Sequence, residues 1–345
     1  MRTSKLLRFA ATSAILAVLL VPGRAAADTV IPVGANPFAS LVVGSKLYVT
    51  NQTDGTVSVI DTESKTVIAV VPVGPGHPTF MESHWHKLYV LNYYSGNTVS
   101  VIDTRTDTPI RSIPVGVSPY YCTKVGSNLY VMNYDTNNVS VIDMNTDTVT
   151  ATIPVGLHPQ YAISFGPYMY VHNDVTISVI DMRTNTVVGL PIPVGPLPYS
   201  SVLVGPRLFI PDSAANTVTV LDARTNTVTN TIAVGLNPYS AALVGTKLYV
   251  SNAGELTTSV IDTTTQRVIA TVPVGAGPDY TIRSGDRVSV MNYFGNSVTI
   301  IDASTNQVVS TTLVAGGPVY GTVYGDDLYV IDYDGNNVYV LQPKK

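Results

Sequence analysis

Ile31-Pro32-Val33-Gly34, followed by Pro37-Phe38, Leu47-Tyr48-Val49-Thr50-Asn51 and Val57-Ser58-Val59-Ile60-Asp61, is the stretch that decides the architecture. Its opening tetrapeptide returns at Val71 to Gly74, Ile113 to Gly116, Ile153 to Gly156, Ile192 to Gly195, Ile232 to Gly235, Val272 to Gly275 and, degraded, at Leu313 to Gly316. A fixed period of about 40 residues marks a repeat architecture, in which each copy is one supersecondary unit.

Every copy continues alike, and its β-branched runs bounded by Gly, Pro, Asn and Asp read as four short strands. Strand a follows the proline, b is the Leu-Tyr-Val run, c the Val-Ser-Val-Ile-Asp run, and d leads from Thr-Val to the next Pro-Val. No helical period appears, so the chain is expected to be all-β. Strand c is apolar or small at nearly every position, which requires cover on both faces, as in blades stacked around an axis.

A linear solenoid would cover both faces too, and the termini separate the two cases. A lone d strand, Thr29 to Val33, precedes the first full copy, and an a, b, c set from about Val319 to Leu341 closes the chain without its d. Pairing the two completes a blade and removes an open edge. The expected fold is therefore an eight-bladed β-propeller of four-stranded antiparallel blades, closed by the N-terminal strand; seven blades is the alternative count.

Tyr48-Val49-Thr50-Asn51 and its variants at Tyr89, Tyr130, Tyr170 and Tyr249 resemble the YVTN-type β-propeller repeat family over the whole chain after the leader. That resemblance implies a propeller scaffold of the kind found in surface-layer and periplasmic binding proteins and, more distantly, in propellers with lactonase, lyase or haem-dependent activities. It carries over no catalytic residue, because the motif belongs to the scaffold.

Arg2, Lys5 and Arg8 precede an apolar run from Phe9 to Val21, and Ala25-Ala26-Ala27 offers a cleavage site. Residues 1–27 thus read as a signal peptide, and residues 28–345 as a single exported domain, periplasmic or extracellular, with no later membrane span. Cys122 is the single cysteine and reads as a small buried residue. Removing the four basic residues of the leader leaves 15 basic against 23 acidic residues, a net charge of −8, which disfavours nucleic acid. Charged residues are 12% of the chain, against about 25% in an average protein.

In a four-stranded blade the d-to-a and b-to-c loops share one face, and these loops contain no Lys or Arg. They hold aromatic, amide and acidic side chains, which suits sugar rings, cations or a protein partner and leaves an anionic cofactor without charge partners. The a-to-b and c-to-d turns carry Lys46, Lys65, Lys87, Arg105, Arg183, Arg207, Arg224, Lys247, Arg267 and Arg287, so the opposite face is expected to be basic. Phe38, Phe80, Tyr120, Tyr121, Tyr161, Tyr199, Tyr239, Tyr280 and Tyr320, just after the prolines, recur in every copy, which favours packing between blades over a binding rim.

Positions where the copies differ are more informative. They nominate Tyr93, Tyr94, Tyr134, His158, His172, Asp212, Tyr293, Phe294 and Tyr333 for ligand binding. The Asn or Asp ending each b strand reads as a turn-closing group and not as a cation ring. His84-Trp85-His86 has too few carboxylates nearby for a zinc or copper site and reads as a solvent-facing turn. No nucleophile motif or phosphate loop is present. The leading expectation is an exported, non-catalytic scaffold binding a protein or carbohydrate, with no cofactor. The alternatives are a lactonase- or lyase-like enzyme with a divalent cation at the channel mouth and a structural cell-surface component.

Overall fold

Pro37–Val43, Lys46–Asn51, Thr56–Asp61 and Thr66–Pro72 form the first blade, each strand hydrogen-bonded antiparallel to the next. In the computed structural model, which describes residues 29–343, this unit repeats to give eight sheets and no helix. The proposed signal peptide, 1–27, lies outside the described residues. Thr29–Pro32 pairs with Asn337–Leu341 in the register Ile31 opposite Val338, so the first strand completes the eighth blade. The count is eight, as the two incomplete ends of the sequence require.

The doubly covered c strands have the expected partners. Each neighbouring pair of blades encloses one apolar cluster, and there are eight such clusters, including the seam where Ile31, Leu47, Val49 and Ile60 meet Tyr329, Ile331, Val338 and Val340. At about 25 cal/mol per Å2 of apolar surface removed from water, such layers dominate the stability of the ring.

The motif tyrosine of strand b clasps the neighbouring blade. Tyr48, fully buried, donates its hydroxyl to Asp107 at 2.7 Å, and Tyr89 donates to Asp147 at 2.6 Å. Tyr170 to Asn226 (2.7 Å) and Tyr249 to Asn306 (2.6 Å) repeat the contact. The acceptors occupy the left-handed position of the next c-to-d turn, where Asp and Asn are tolerated better than most residues. Lys46 and Lys87 reinforce the clasp by pairing with the same aspartates. At the ring seam the charges are exchanged. Asp327 stands at the strand-b position of Lys46 and pairs at 2.8 Å with Lys65, which stands at the turn position of Asp107.

The Asn or Asp ending strand b locks each blade internally. Asn51 donates to Thr56 and Ser58, both at 2.9 Å, and Asn252 to Thr257 and Ser259 at 2.9 and 3.0 Å. The glycine of the Pro-Val-Gly turn lies against this amide, and a Cβ added at Gly34 would stand 2.6 Å from Asn51. That close approach explains why the turn glycine recurs. The expected bonds to local backbone are found at Asn173 and Asp332, whereas the other amides bond side chains of strand c.

Blade 4 departs from the pattern. Its d strand is broken into Thr186–Val187 and Ile192–Pro193 around Gly189, Leu190 and Pro191. Pro191 has no N–H to give the ladder. The next a strand is shortened to Val202–Val204, behind Pro196 and Pro198.

The second face is not the basic surface expected from its Lys and Arg residues. Arg105, Arg183 and Arg224 each pair with the aspartate ending their own c strand, and Lys46, Lys65 and Lys87 pair across blades. The c-strand aspartates share this face, and the expectation left them out of account.

Candidate functional site

Two successive residues after each proline decide what fills the axis. In an unbroken strand they would point to opposite faces. Here strand a carries a bulge between the proline and the next regular pair, for instance between Pro119 and Tyr121 and between Pro278 and Tyr280. A bulge places two residues of one strand opposite one of its partner and re-aims their side chains. Both members of the Tyr120-Tyr121 pair consequently turn to the axis, where Phe80 meets their rings at 6.3 and 5.1 Å.

The result is two layers of side chains with complementary sizes. Phe38, Thr79, Tyr120, Gln160, Tyr199, Tyr239, Asp279 and Val319 form the layer nearer the d-to-a loops. Ala39, Phe80, Tyr121, Tyr161, Ser200, Ser240, Tyr280 and Tyr320 form the one beneath. Blades with a large first residue have a small second one and conversely, except blade 3, which supplies Tyr120 and Tyr121. Tyr199 contacts Tyr239 at 4.3 Å, Tyr121 contacts Tyr161 at 4.7 Å, and Tyr280 contacts Tyr320 at 4.5 Å. The lower layer also seals the inner ends of the blade interfaces, because Phe80, Tyr121, Tyr280 and Tyr320 pack on those clusters. The packing expectation therefore describes the lower layer, whereas the upper rings belong to no interblade cluster. Enclosure raises the phenol pKa throughout, to about 12 for Tyr161 and Tyr199, so all are neutral hydroxyls at physiological pH.

From Tyr120 a continuous arc of rings runs outward over blades 2 to 4. His77 meets Tyr94 at 5.4 Å, Tyr94 meets Tyr93 at 4.1 Å, and Tyr93 meets Tyr120 at 5.6 Å. Tyr120 then meets Tyr134 at 6.1 Å, and Tyr134 stacks on His158 at 4.5 Å with planes 19° apart. His158 Nδ1 donates to Asp174 at 2.6 Å, since a carboxylate only accepts, and the ring's other nitrogen, Nε2, is not engaged in that bond. Tyr93, Tyr94, Tyr134 and His158, nominated separately from the sequence, thus share one surface.

Tyr293, Phe294 and Tyr333 lie on the same face at blades 7 and 8. The Tyr293 hydroxyl donates to Asp334 at 2.7 Å, and Tyr333 donates to Gln52 of blade 1 at 3.2 Å. Phe294 is 56% exposed.

His172 and Asp212 are placed differently and cannot touch a ligand on that surface. Both are fully buried. His172 Nδ1 donates to the Tyr199 carbonyl at 2.8 Å and Nε2 accepts from Ser201 at 3.1 Å, which fixes the tautomer. Burial lowers its pKa to about 4, so the ring is neutral. Asp212 stands where six blades have a locking Asn and blade 8 has Asp332, accepting from Thr219 at 2.6 Å and Thr217 at 3.2 Å, and burial raises its pKa to about 6. Variation between copies marked both positions, but it reported a change in internal locking.

Sequence reasoning assigned Tyr120, the link between arc and channel, to packing between blades, and it did not nominate Asp279, whose charge acts on Tyr120, Tyr199 and Tyr239. The available signal was the size exchange between the two residues after each proline. Among the described residues no group of three or more His, Cys, Asp or Glu is placed to hold a metal ion. No helix among them is long and apolar enough to cross a membrane.

No protein-family model and no curated protein matches the chain. Solved structures do resemble it. A computationally designed protein, Ika8, superposes with a TM-score of 0.78 at 11% identity, covering 90% of this chain and 99% of its own. BamB from Moraxella catarrhalis gives 0.74 at 13% identity over 92% and 99%, and hydrazine synthase of Kuenenia stuttgartiensis gives 0.62 at 22% over 83% and 99%. At these identities the likeness establishes a shared β-propeller architecture, and the particular surface chemistry is this chain's own.

Proposed function

We propose that this is an exported binding scaffold of the YVTN-type repeat family whose d-to-a and b-to-c face holds a neutral saccharide chain. The observation that carries the reading is the unbroken ring arc His77, Tyr94, Tyr93, Tyr120, Tyr134 and His158. Sugar rings present flat C–H faces that pack on aromatic rings, while their hydroxyls need acceptors and amides at the rim. Asp135, Asp174 and Asn137 supply these, and the absence of Lys and Arg from the loops disfavours anionic ligands. Amphipathic aromatic anchors dominate binding energy when partly enclosed, as Tyr93 and Tyr134 are.

A glycan array probed with the mature chain, followed by titration of a positive saccharide, tests the proposal. Tyr134→Ala and Tyr94→Ala should each weaken binding by about tenfold or more, equivalent to about 1.4 kcal/mol, with unchanged melting. Absence of any neutral glycan ligand, or equal binding by both variants, overturns it, and capture of a protein ligand by the same arc would replace the saccharide.

One observation favours the catalytic alternative: the Asp174–His158 pair orients an imidazole with Nε2 available as a base. A hydrolytic or eliminating activity dependent on that pair would disappear in Asp174→Asn. A divalent cation at the mouth would have to draw on Asp279, since no ready-made ligand cluster surrounds it.

A further inference from the structure

Glu82 occupies the fourth position after the proline in strand a of blade 2, where the other blades carry Leu41, Thr123, Ile163, Val202, Ala242, Ile282 and Thr322. It is therefore the one charge at its level of the channel wall, and a half-buried carboxylate there needs a counter-charge. Among the described residues it forms no ion pair. The nearest cation, Lys124, donates instead to the Ser83 carbonyl at 2.6 Å and lies toward solvent. Burial holds the Glu82 carboxyl above its ordinary range, with Lys124 opposing.

Glu82 borders a cavity of about 110 Å3 that Phe80, Tyr121 and Tyr320 also line. Phe80 stands at 71° to Tyr121 and 70° to Tyr320, with centroids 5.1 and 6.2 Å apart, so the three rings meet edge to face beside this space. The volume compares with the roughly 150 Å3 apolar cavity that accepts a benzene-sized guest.

We infer that this cavity is a binding site for a small methylated ammonium cation, caged by Phe80, Tyr121 and Tyr320 and neutralised by Glu82. The ring faces attract a diffuse positive charge, and methyl groups fill an apolar box without asking for hydrogen bonds. A divalent metal ion fits poorly, because it takes six or more oxygens and the Ser40 hydroxyl nearby is bonded to Thr322 at 2.8 Å. A primary ammonium would bring three donors to a single carboxylate. The inference is independent of the saccharide proposal, since it uses other residues below the upper axial layer.

Tetramethylammonium chloride titrated into the mature chain, followed by tyrosine fluorescence and by saturation transfer to the methyl protons, tests the site. Saturable binding is expected, with potassium chloride unable to compete and tert-butyl alcohol, of similar size without charge, bound about tenfold or more weakly. Glu82→Gln and Phe80→Leu should each weaken the cation by about tenfold or more. Both variants are melted without ligand, so that a folding defect in one leaves the other to decide. No saturable binding, equal affinity for the alcohol, or undiminished binding by a folded Glu82→Gln variant overturns the assignment.

Discussion

Truncating Ile31 to alanine tests whether the first strand truly closes the ring. Ile31 is 2% exposed, lies opposite Val338 and fills the cluster shared by blades 8 and 1. Replacing a buried isoleucine by alanine costs about 2–5 kcal/mol through lost transfer energy and the cavity left behind. Taking about 3 kcal/mol, and an unfolding entropy of about 2.1 cal/mol/K per residue over the 315 described residues, the melting temperature should fall by about 5 °C. Val30, its neighbour on the same strand, is 47% exposed, so Val30→Ala should change stability by no more than about 0.5 kcal/mol. Calorimetric melts of the wild type and both variants provide the comparison. If Ile31→Ala shifts the transition no more than Val30→Ala does, the strand does not seal the seam and the closure argument is wrong.

Asp212→Asn should stabilise the protein at pH 8 by on the order of 1–3 kcal/mol, since ionisation of a buried acid with a pKa near 6 opposes folding; the gain should vanish below about pH 4 in urea melts, where the wild-type side chain is protonated in both states. His172 acts in the opposite sense: with a folded pKa of about 4 against an ordinary value of about 6.5, the unfolded chain takes up the proton first. Stability is then lost as pH falls from about 6.5 to about 4, and denaturation profiles of Asp212→Asn should show this loss more steeply than the wild type, whose Asp212 offsets it. Trp85, 79% exposed at φ 55°, stands where the other seven a-to-b turns have a left-handed glycine. Trp85→Gly should raise stability by about 0.5–1 kcal/mol by relieving that conformation, and a lower melting temperature would contradict this. At the seam, Asp327→Lys should destabilise through repulsion from Lys65, while adding Lys65→Asp should recover about 0.5–1 kcal/mol in a double-mutant cycle, and additive effects would show that the pair is uncoupled.

That exchanged ion pair also disfavours a seven-bladed closure. Were blade 7 to close on blade 1, Arg287 would occupy the place of Asp327 and face Lys65 with like charge. The identity of the clasping residues could be read in the chain, but their partners could not, because Tyr48 and Asp107, or Lys65 and Asp327, are joined only after separate blades stack.

Periodicity and local turn chemistry were enough for the repeat, the strand types, the preference for eight blades over seven and the face that gathers aromatic loops. It also nominated Tyr93, Tyr94, Tyr134 and His158 as separate positions. Only the tertiary structure decided that Tyr120 joins them into one arc, that His172 and Asp212 are internal, and that Glu82 borders an aromatic cavity. For Tyr120 the physical reason lies in the bulge of strand a, and for His172 and Asp212 in the neighbouring strands that bury them. A local irregularity overrides the two-residue alternation that a sequence displays, turning consecutive side chains to the axis, where residues from blades far apart in the chain complete the site.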